Sequence, residues 1–312
     1  MKHLLTLRET SAADIGYILD TATAFKEILE RPVKKVPTLR GRAMITLFYE
    51  NSTRTRTSFE MAAKIMSAEA INIAVAQSSV AKGESLKDTL LTLQSLKADC
   101  IVMRHSASGA AQFAAEHLHI PVVNAGDGRH EHPTQGLLDM LTIRQHKGAL
   151  HGLTVAIVGD ILHSRVARSN LWGLTRMGAN VRLVGPRTLL PPDADRLPVQ
   201  IYDDLRAGLE GADVVNVLRL QTERMEKGLL PSLREYSRLF GVSVNSLKAA
   251  RPDVLVLHPG PMNRGVEISA EVADGAYGIR SAIEEQVTNG VAVRMAVLYL
   301  LMGPQSGPAP EA

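Results

Sequence analysis

The chain has 312 residues, of which 45% are apolar and 21% charged, with a formal net charge of +3. These values sit near globular averages and exclude disordered and fibrous classes, while the length predicts two domains of roughly 150 residues each. Aromatics make up only 4% of the residues and the Lys and Arg are scattered, so small anionic substrates suit the chain better than nucleic acid or a membrane surface. No apolar stretch approaches the roughly 20 residues needed to span a bilayer. The start, Met1 to Glu9, is too short and too soon charged for a signal peptide, so a cytoplasmic protein is expected. Cys100, within the apolar run Cys100 to Met103, is expected to be a small buried core residue.

In chain order, short β-rich runs alternate with helical spacings, which predicts an α/β chain of two domains, each a parallel sheet flanked by helices. Ala43 to Tyr49 reads as a buried strand, and Ser52 opens a helix with Phe59, Ala62, Ala63 and Met66 at helical spacing. A helix follows Gly83 with Leu86, Leu90 and Leu93 on one face, and Cys100 to His105 is a strand. Gly109 to Leu118 reads as helix and Pro121 to Asn124 as a short strand. Pro133 starts a helix that ends near Gly148. The domain boundary is placed at Gly148 to Gly152. Beyond it come a strand at Leu153 to Val158, a helix through Ser169, Leu171 and Leu174 that stops at Gly178, and a strand at Val181 to Val184. Asp203 to Leu209 is a short helix, Asp213 to Leu218 and Val254 to Leu257 are strands, and the last helix spans about Ala282 to Leu301. The tail from Gly303 to Ala312, rich in Gly, Pro and Ser, is expected to be disordered.

Polar residues gather just after the strands, at Ser52 to Thr55, Arg104, Asp160 to Arg165, Arg219 to Gln221 and His258 to Pro261, where open α/β sheets bind ligands. The turn Ser52-Thr53-Arg54-Thr55-Arg56 combines a helix N-terminus with hydroxyls and an arginine, a setting suited to phosphate. The alternative is an ordinary Ser cap followed by a solvent-facing stripe of Arg56, Glu60 and Lys64. His132-Pro133-Thr134-Gln135 opens another helix with an imidazole and a carboxamide, both able to hydrogen-bond a carbonyl or an amide; standing alone, the segment also reads as a plain helix cap. His130 and His132 lack a third ligand at metal-site spacing, so no metal is expected. Val158-Gly159-Asp160 lacks the later glycines of a dinucleotide fingerprint, and no P-loop pattern occurs. Arg165, Arg219 and Gln221, taken singly, read more often as surface ion-pair partners, and gain force only in combination.

Phe48 to Glu60 with the core Ser52-Thr53-Arg54-Thr55-Arg56, Val102-Met103-Arg104-His105, and Asn124-Ala125-Gly126-Asp127-Gly128 with His132-Pro133-Thr134-Gln135 resemble the aspartate/ornithine carbamoyltransferase family. The likeness runs from about Arg8 to Leu301. Leu218-Arg219-Leu220-Gln221 and Leu257-His258-Pro259-Gly260-Pro261 are similar to the catalytic chains of the aspartate branch; the Ser-Met-Gly and His-Cys-Leu-Pro of ornithine enzymes are absent. Arginines and a glutamine also suit an acceptor with two carboxylates.

The resemblance implies transfer of the carbamoyl group of carbamoyl phosphate to the amine of L-aspartate, the committed step of pyrimidine synthesis, with no covalent enzyme intermediate and no cofactor. It implies a carbamoyl phosphate domain over 1–148 joined by the last helix at about 284–302, an aspartate domain over 151–283, and a homotrimer with shared active sites. Ser52, Thr53, Arg54, Thr55, Arg104, His132, Gln135, Gly260 and Pro261 would bind carbamoyl phosphate, with Ser78 of a neighbouring subunit. Among them Arg54, Thr55, Arg104 and His132 would be catalytic. Arg165, Arg219 and Gln221 would bind aspartate, together with a neighbour's Lys82, which would also reach the phosphate. An ornithine-type acceptor and a catalytically silent scaffold are the competing readings. A regulatory or dihydroorotase-like chain would be a further partner.

Overall fold

The computed structural model describes residues 1–74, 83–221, 229–230 and 232–303. The expectations for Ser78, Lys82 and the tail beyond Gly303 lie outside these residues. By their contacts the residues form two compact units: Met1–Thr6, Ala13–Gly128 and Gly290–Ala312 make the first, and Leu7–Ala12 with Arg129–Asn289 the second. None of the described helices is long and apolar enough to cross a membrane.

The first unit holds α1 (Ala12–Leu29), β1 (Ala43–Phe48), α2 (Thr53–Ile65), β2 (Glu69–Ala74), α3 (Leu86–Ser95), β3 (Cys100–His105), α4 (Ala110–His117) and β4 (Val122–Asp127). Its strands form a parallel sheet in the order β2-β1-β3-β4. The register sets Phe48 opposite Arg104, so the turn after β1 and the arginine at the end of β3 share the carboxyl end of the sheet. On one face Ile45, Leu47, Ile101 and Met103 pack against Leu90 and Leu93 of α3 and Ala110 and Ala114 of α4. Cys100 is buried as expected, and burial pushes its thiol up to about 12, leaving an unreactive core side chain.

The second unit holds α5 (Pro133–Lys147), β5 (Thr154–Val158), α6 (Arg165–Arg176), β6 (Asn180–Val184), β7 (Gln200–Tyr202), α7 (Leu205–Leu209), β8 (Val214–Val217), α8 (Leu233–Phe240), β9 (Leu255–Leu257), α9 (Ala270–Ala273) and β10 (Arg280–Ser281). Its parallel sheet runs β10-β9-β8-β5-β6-β7. Such near-continuous apolar strands as Val155 to Val158 and Val214 to Val217 are what a sheet covered on both faces requires. Helices α5 and α6 approach closely because glycines lie between them. A Cβ on Gly136 would come within 3.2 Å of Ser169 Cβ, and one on Gly173 within 2.7 Å of the Met140 methyl.

The last helix, α10 (Ile283–Met302), starts in the second unit, and its turns from Gly290 onward belong to the first. There Tyr299 meets Phe25 of α1 edge to face, with ring centroids 5.6 Å apart. Arg294 donates to Ser58 Oγ at 3.0 Å and lies 5.1 Å above the Phe59 ring. The expected fold class, two parallel-sheet domains with the C-terminal helix packing back on the first, is what the chain adopts. Helices α1, α8 and α9 and strands β2, β7 and β10 are additions that the sequence pattern did not single out.

Candidate active site

Each unit carries one group of the residues singled out in the sequence. In the first unit, Ser52 occupies the N-cap position of α2 with φ −157° and ψ 92°, yet its side chain makes no capping hydrogen bond. The first turn contains no acidic residue. A helix N-terminus with neither a side-chain cap from its N-cap residue nor an acidic first turn presents N–H groups and a partial positive charge, the condition for holding an anion. Thr53 and Arg54 are exposed on that turn and Thr55 is buried. The expected stripe is present as well: Arg56 and Lys64 are exposed, and Glu60 accepts from Asn72 Nδ2 at 2.5 Å.

Arg104 lies at the same carboxyl end of the sheet, on β3. Its Nη1 donates to the Ala125 carbonyl at 3.2 Å and its Nε lies 3.3 Å from Glu50, which follows β1. A guanidinium held at two points by backbone and carboxylate is pre-aimed, so it loses little freedom on meeting a ligand. The segment Asn124 to Gly128 braces this arrangement. Asn124 Nδ2 and the Gly109 N–H both donate to Asp127, at 2.8 and 2.7 Å. Gly128 has φ +48°, and a Cβ there would lie 2.8 Å from the Ser106 carbonyl, so no larger residue fits.

In the second unit, His132 is the N-cap residue of α5 and is 4% exposed. Its backbone N–H donates to Ser169 Oγ at 2.8 Å, and that hydroxyl donates to Glu131 at 2.8 Å. Glu131 also accepts from the Leu7 and Arg8 N–H groups at 2.8 and 3.2 Å, while burial raises its carboxyl above the usual range. This buried chain seats the imidazole. One turn on, Gln135 Nε2 donates to Asp139 at 2.9 Å.

Arg165 begins α6 behind its cap Ser164, whose hydroxyl accepts from the Ala167 N–H at 3.1 Å. Asp160, just after β5, accepts from His163 Nδ1 at 2.8 Å and from the Gln221 backbone N–H. Burial raises the Asp160 carboxyl despite these partners. Arg219 and Gln221 follow β8 and are partly exposed. After β9, the Gly260 N–H donates to His258 Nδ1 at 2.8 Å, so the ring proton is on Nε2, 3.2 Å from Glu267. That buried pair fixes the turn carrying Gly260 and Pro261.

The structure thus gathers Ser52 to Thr55 with Arg104 in one unit, and His132, Gln135, Arg165, Arg219, Gln221, Gly260 and Pro261 around the helix N-termini and strand ends of the other. Sequence reasoning passed over Glu50, Glu131, Asp139, Asn170, Asn216 and Gln286. One signal was available: Asp139 sits between Leu138 and Met140 in a run with no room for an unpaired carboxylate.

Models of the aspartate/ornithine carbamoyltransferase family match this chain, the carbamoyl-P binding domain over residues 2–145 and the Asp/Orn binding domain over 151–301. The chain belongs to that family. It is 62% identical over 302 residues to the aspartate carbamoyltransferase catalytic subunit of Desulforamulus reducens, covering 97% of this chain and 96% of that one. To the catalytic subunit of Moorella thermoacetica it is 60% identical, covering 97% of each. A crystal structure of Trypanosoma cruzi aspartate transcarbamoylase with carbamoyl phosphate matches with a TM-score of 0.89 at 31% identity, over 97% of this chain and 96% of that one. Ornithine carbamoyltransferase from Pyrococcus furiosus matches with a TM-score of 0.85 at 28% identity, over 97% of each chain.

Proposed function

We propose that this chain is an aspartate carbamoyltransferase, moving the carbamoyl group of carbamoyl phosphate onto the amine of L-aspartate to give N-carbamoyl-L-aspartate and phosphate. The observation that carries the reading is the α2 N-terminus, where the cap hydroxyl of Ser52 is left uncommitted and no acidic side chain occupies the first turn. The choice of aspartate is supported by the high identity to aspartate carbamoyltransferase catalytic subunits.

In this reading Ser52, Thr53, Arg54 and Thr55 hold the phosphate, joined by Ser78 and Lys82 of a neighbouring subunit. Arg104 and His132 face the carbonyl oxygen, and Gln135 takes the amide. As the aspartate amine attacks, negative charge grows on that oxygen and meets donors already in place. The departing phosphate, neutralised by cationic side chains, accepts the amine proton, so no side-chain nucleophile is needed. Arg165, Arg219 and Gln221 orient aspartate, and the backbone at Gly260 and Pro261 touches both substrates. Residues 1–148 with 284–302 serve carbamoyl phosphate, and 151–283 serve aspartate. The working form is a cytoplasmic homotrimer with shared sites, within a larger assembly consistent with the "catalytic subunit" names of the relatives.

Carbamoyl transfer by the purified protein, with L-aspartate and L-ornithine compared, tests this. Carbamoyl-aspartate alone is expected. Carbamoyl-ornithine would overturn the acceptor assignment at Arg219 and Gln221, and no product with either would move weight to another acceptor, a missing partner or a silent scaffold.

A further inference from the structure

We propose that Asp139 is a positioning residue that makes the site selective for a carbamoyl group by turning the Gln135 amide so that its carbonyl oxygen faces the ligand. The proposal rests on Gln135 being the partner of the carbamoyl NH2.

Asp139 is fully buried, and four amides converge on it. Gln135 Nε2 and Gln286 Nε2 donate to Oδ1 at 2.9 and 2.7 Å, while Asn170 Nδ2 and Asn216 Nδ2 donate to Oδ2 at 2.6 and 3.3 Å. The donors come from α5, α10, α6 and β8. An ionised carboxylate accepts and cannot donate, so every amide that meets it must present NH2. A planar carboxamide offers opposite chemistry at its two ends, so committing the Gln135 NH2 inward leaves its carbonyl oxygen pointing elsewhere. That oxygen has no hydrogen-bond partner among the described residues, and Gln135 keeps a small exposed surface at the head of α5. An acceptor at the mouth of a site matches a ligand NH2 and rejects an isosteric methyl.

The same carboxylate also reaches the turn after β9. Gln286, its NH2 held by Asp139, accepts from the His258 N–H at 2.9 Å, and His258 Nδ1 in turn accepts from the Gly260 N–H. One buried charge thereby sets two ligand-facing elements that lie far apart in the chain. Burial raises the Asp139 carboxyl to about 6 against the four amides that lower it, with no contribution from a charged side chain among the described residues. Its ionised form, and with it the orientation of Gln135, is in place at neutral pH.

The test uses the full-length chain and two ligands, carbamoyl phosphate and acetyl phosphate, the second replacing NH2 by methyl. In Asp139→Asn one oxygen becomes an NH2, the Gln135 amide is free to flip, and KM for carbamoyl phosphate should rise roughly 10- to 100-fold. Ki for acetyl phosphate should change little. Gln135→Ala should show the same selective loss, and the double variant should be no worse than either single one. Equal losses for both ligands, or additive losses in the double variant, would overturn the proposal. An unchanged Gln135→Ala would instead overturn the reading of Gln135 beneath it. Should Asp139→Asn not fold, Asn170→Ala keeps the carboxylate and removes one of its donors. The acid limb of kcat/KM for carbamoyl phosphate should then move to higher pH, and an unmoved limb refutes the role.

Discussion

Replacing Ser52 by Ala separates a ligand-binding hydroxyl from a structural one. Loss of an ordinary Ser cap costs about 1 kcal/mol. Ser232 of α8 and Asp204 of α7 are such caps, accepting from the Glu235 and Ala207 N–H groups at 3.1 and 2.8 Å. Ser52 accepts no such bond, so that cost should be absent. If its hydroxyl instead donates to a phosphate oxygen, a hydrogen bond to a charged group worth about 1.5–3 kcal/mol is lost, or roughly 10- to 150-fold in kcat/KM for carbamoyl phosphate. Thermal unfolding and initial rates on Ser52→Ala, Ser232→Ala and Asp204→Ala make the comparison. A lost cap should lower Tm by ~2–4 °C in a domain of this size. The expected pattern is unchanged Tm with a large kinetic loss for Ser52→Ala and the reverse for the other two. A Tm drop with unaltered kcat/KM at Ser52 would show that the hydroxyl is a cap after all and that the phosphate reading of the turn fails.

Arg104→Ala should lower kcat roughly 100-fold by removing a donor aimed at the developing oxyanion. Arg104→Lys should recover little, because a single ammonium cannot meet both the Ala125 carbonyl and Glu50 as the guanidinium does; steady-state rates decide. Glu131→Gln places an NH2 among the Leu7, Arg8 and Ser169 donors, so denaturant unfolding should show a loss of about 1–3 kcal/mol. For Asp139 the folded carboxyl is raised, to about 6 from 3.8, so the folded state binds the extra proton and stability from this group falls as pH rises between those values. The stability of the wild type relative to Asp139→Asn should therefore decline by roughly 3 kcal/mol from about pH 4 to 6. A difference that grows over that range would contradict the burial argument.

The sequence by itself determined the alternation of strand and helix, the polar clusters after the strands and the two helix-opening motifs, because each is a local pattern of a few residues. Strands such as Cys100 to His105 and Thr154 to Val158 were legible since a continuous apolar run can be buried in few ways. Helix α1 was passed over although its apolar residues are spaced for burial, and β2 because its edge position leaves Ile71 46% exposed. The extent of burial around α5 was invisible for a different reason. All residues from Pro133 to Ile143 are buried, so no polar stripe marks a face. Whether Ser52 caps its helix or leaves its hydroxyl to a ligand was likewise decided only by backbone geometry at the turn. Gln135 lies one helical turn from Asp139, but Asn170, Asn216 and Gln286 lie 31, 77 and 147 residues from it, and no periodicity links those three to it. Only the tertiary structure could bring them together, because the cost of burying an unpaired carboxylate is met by partners that folding, not sequence proximity, supplies.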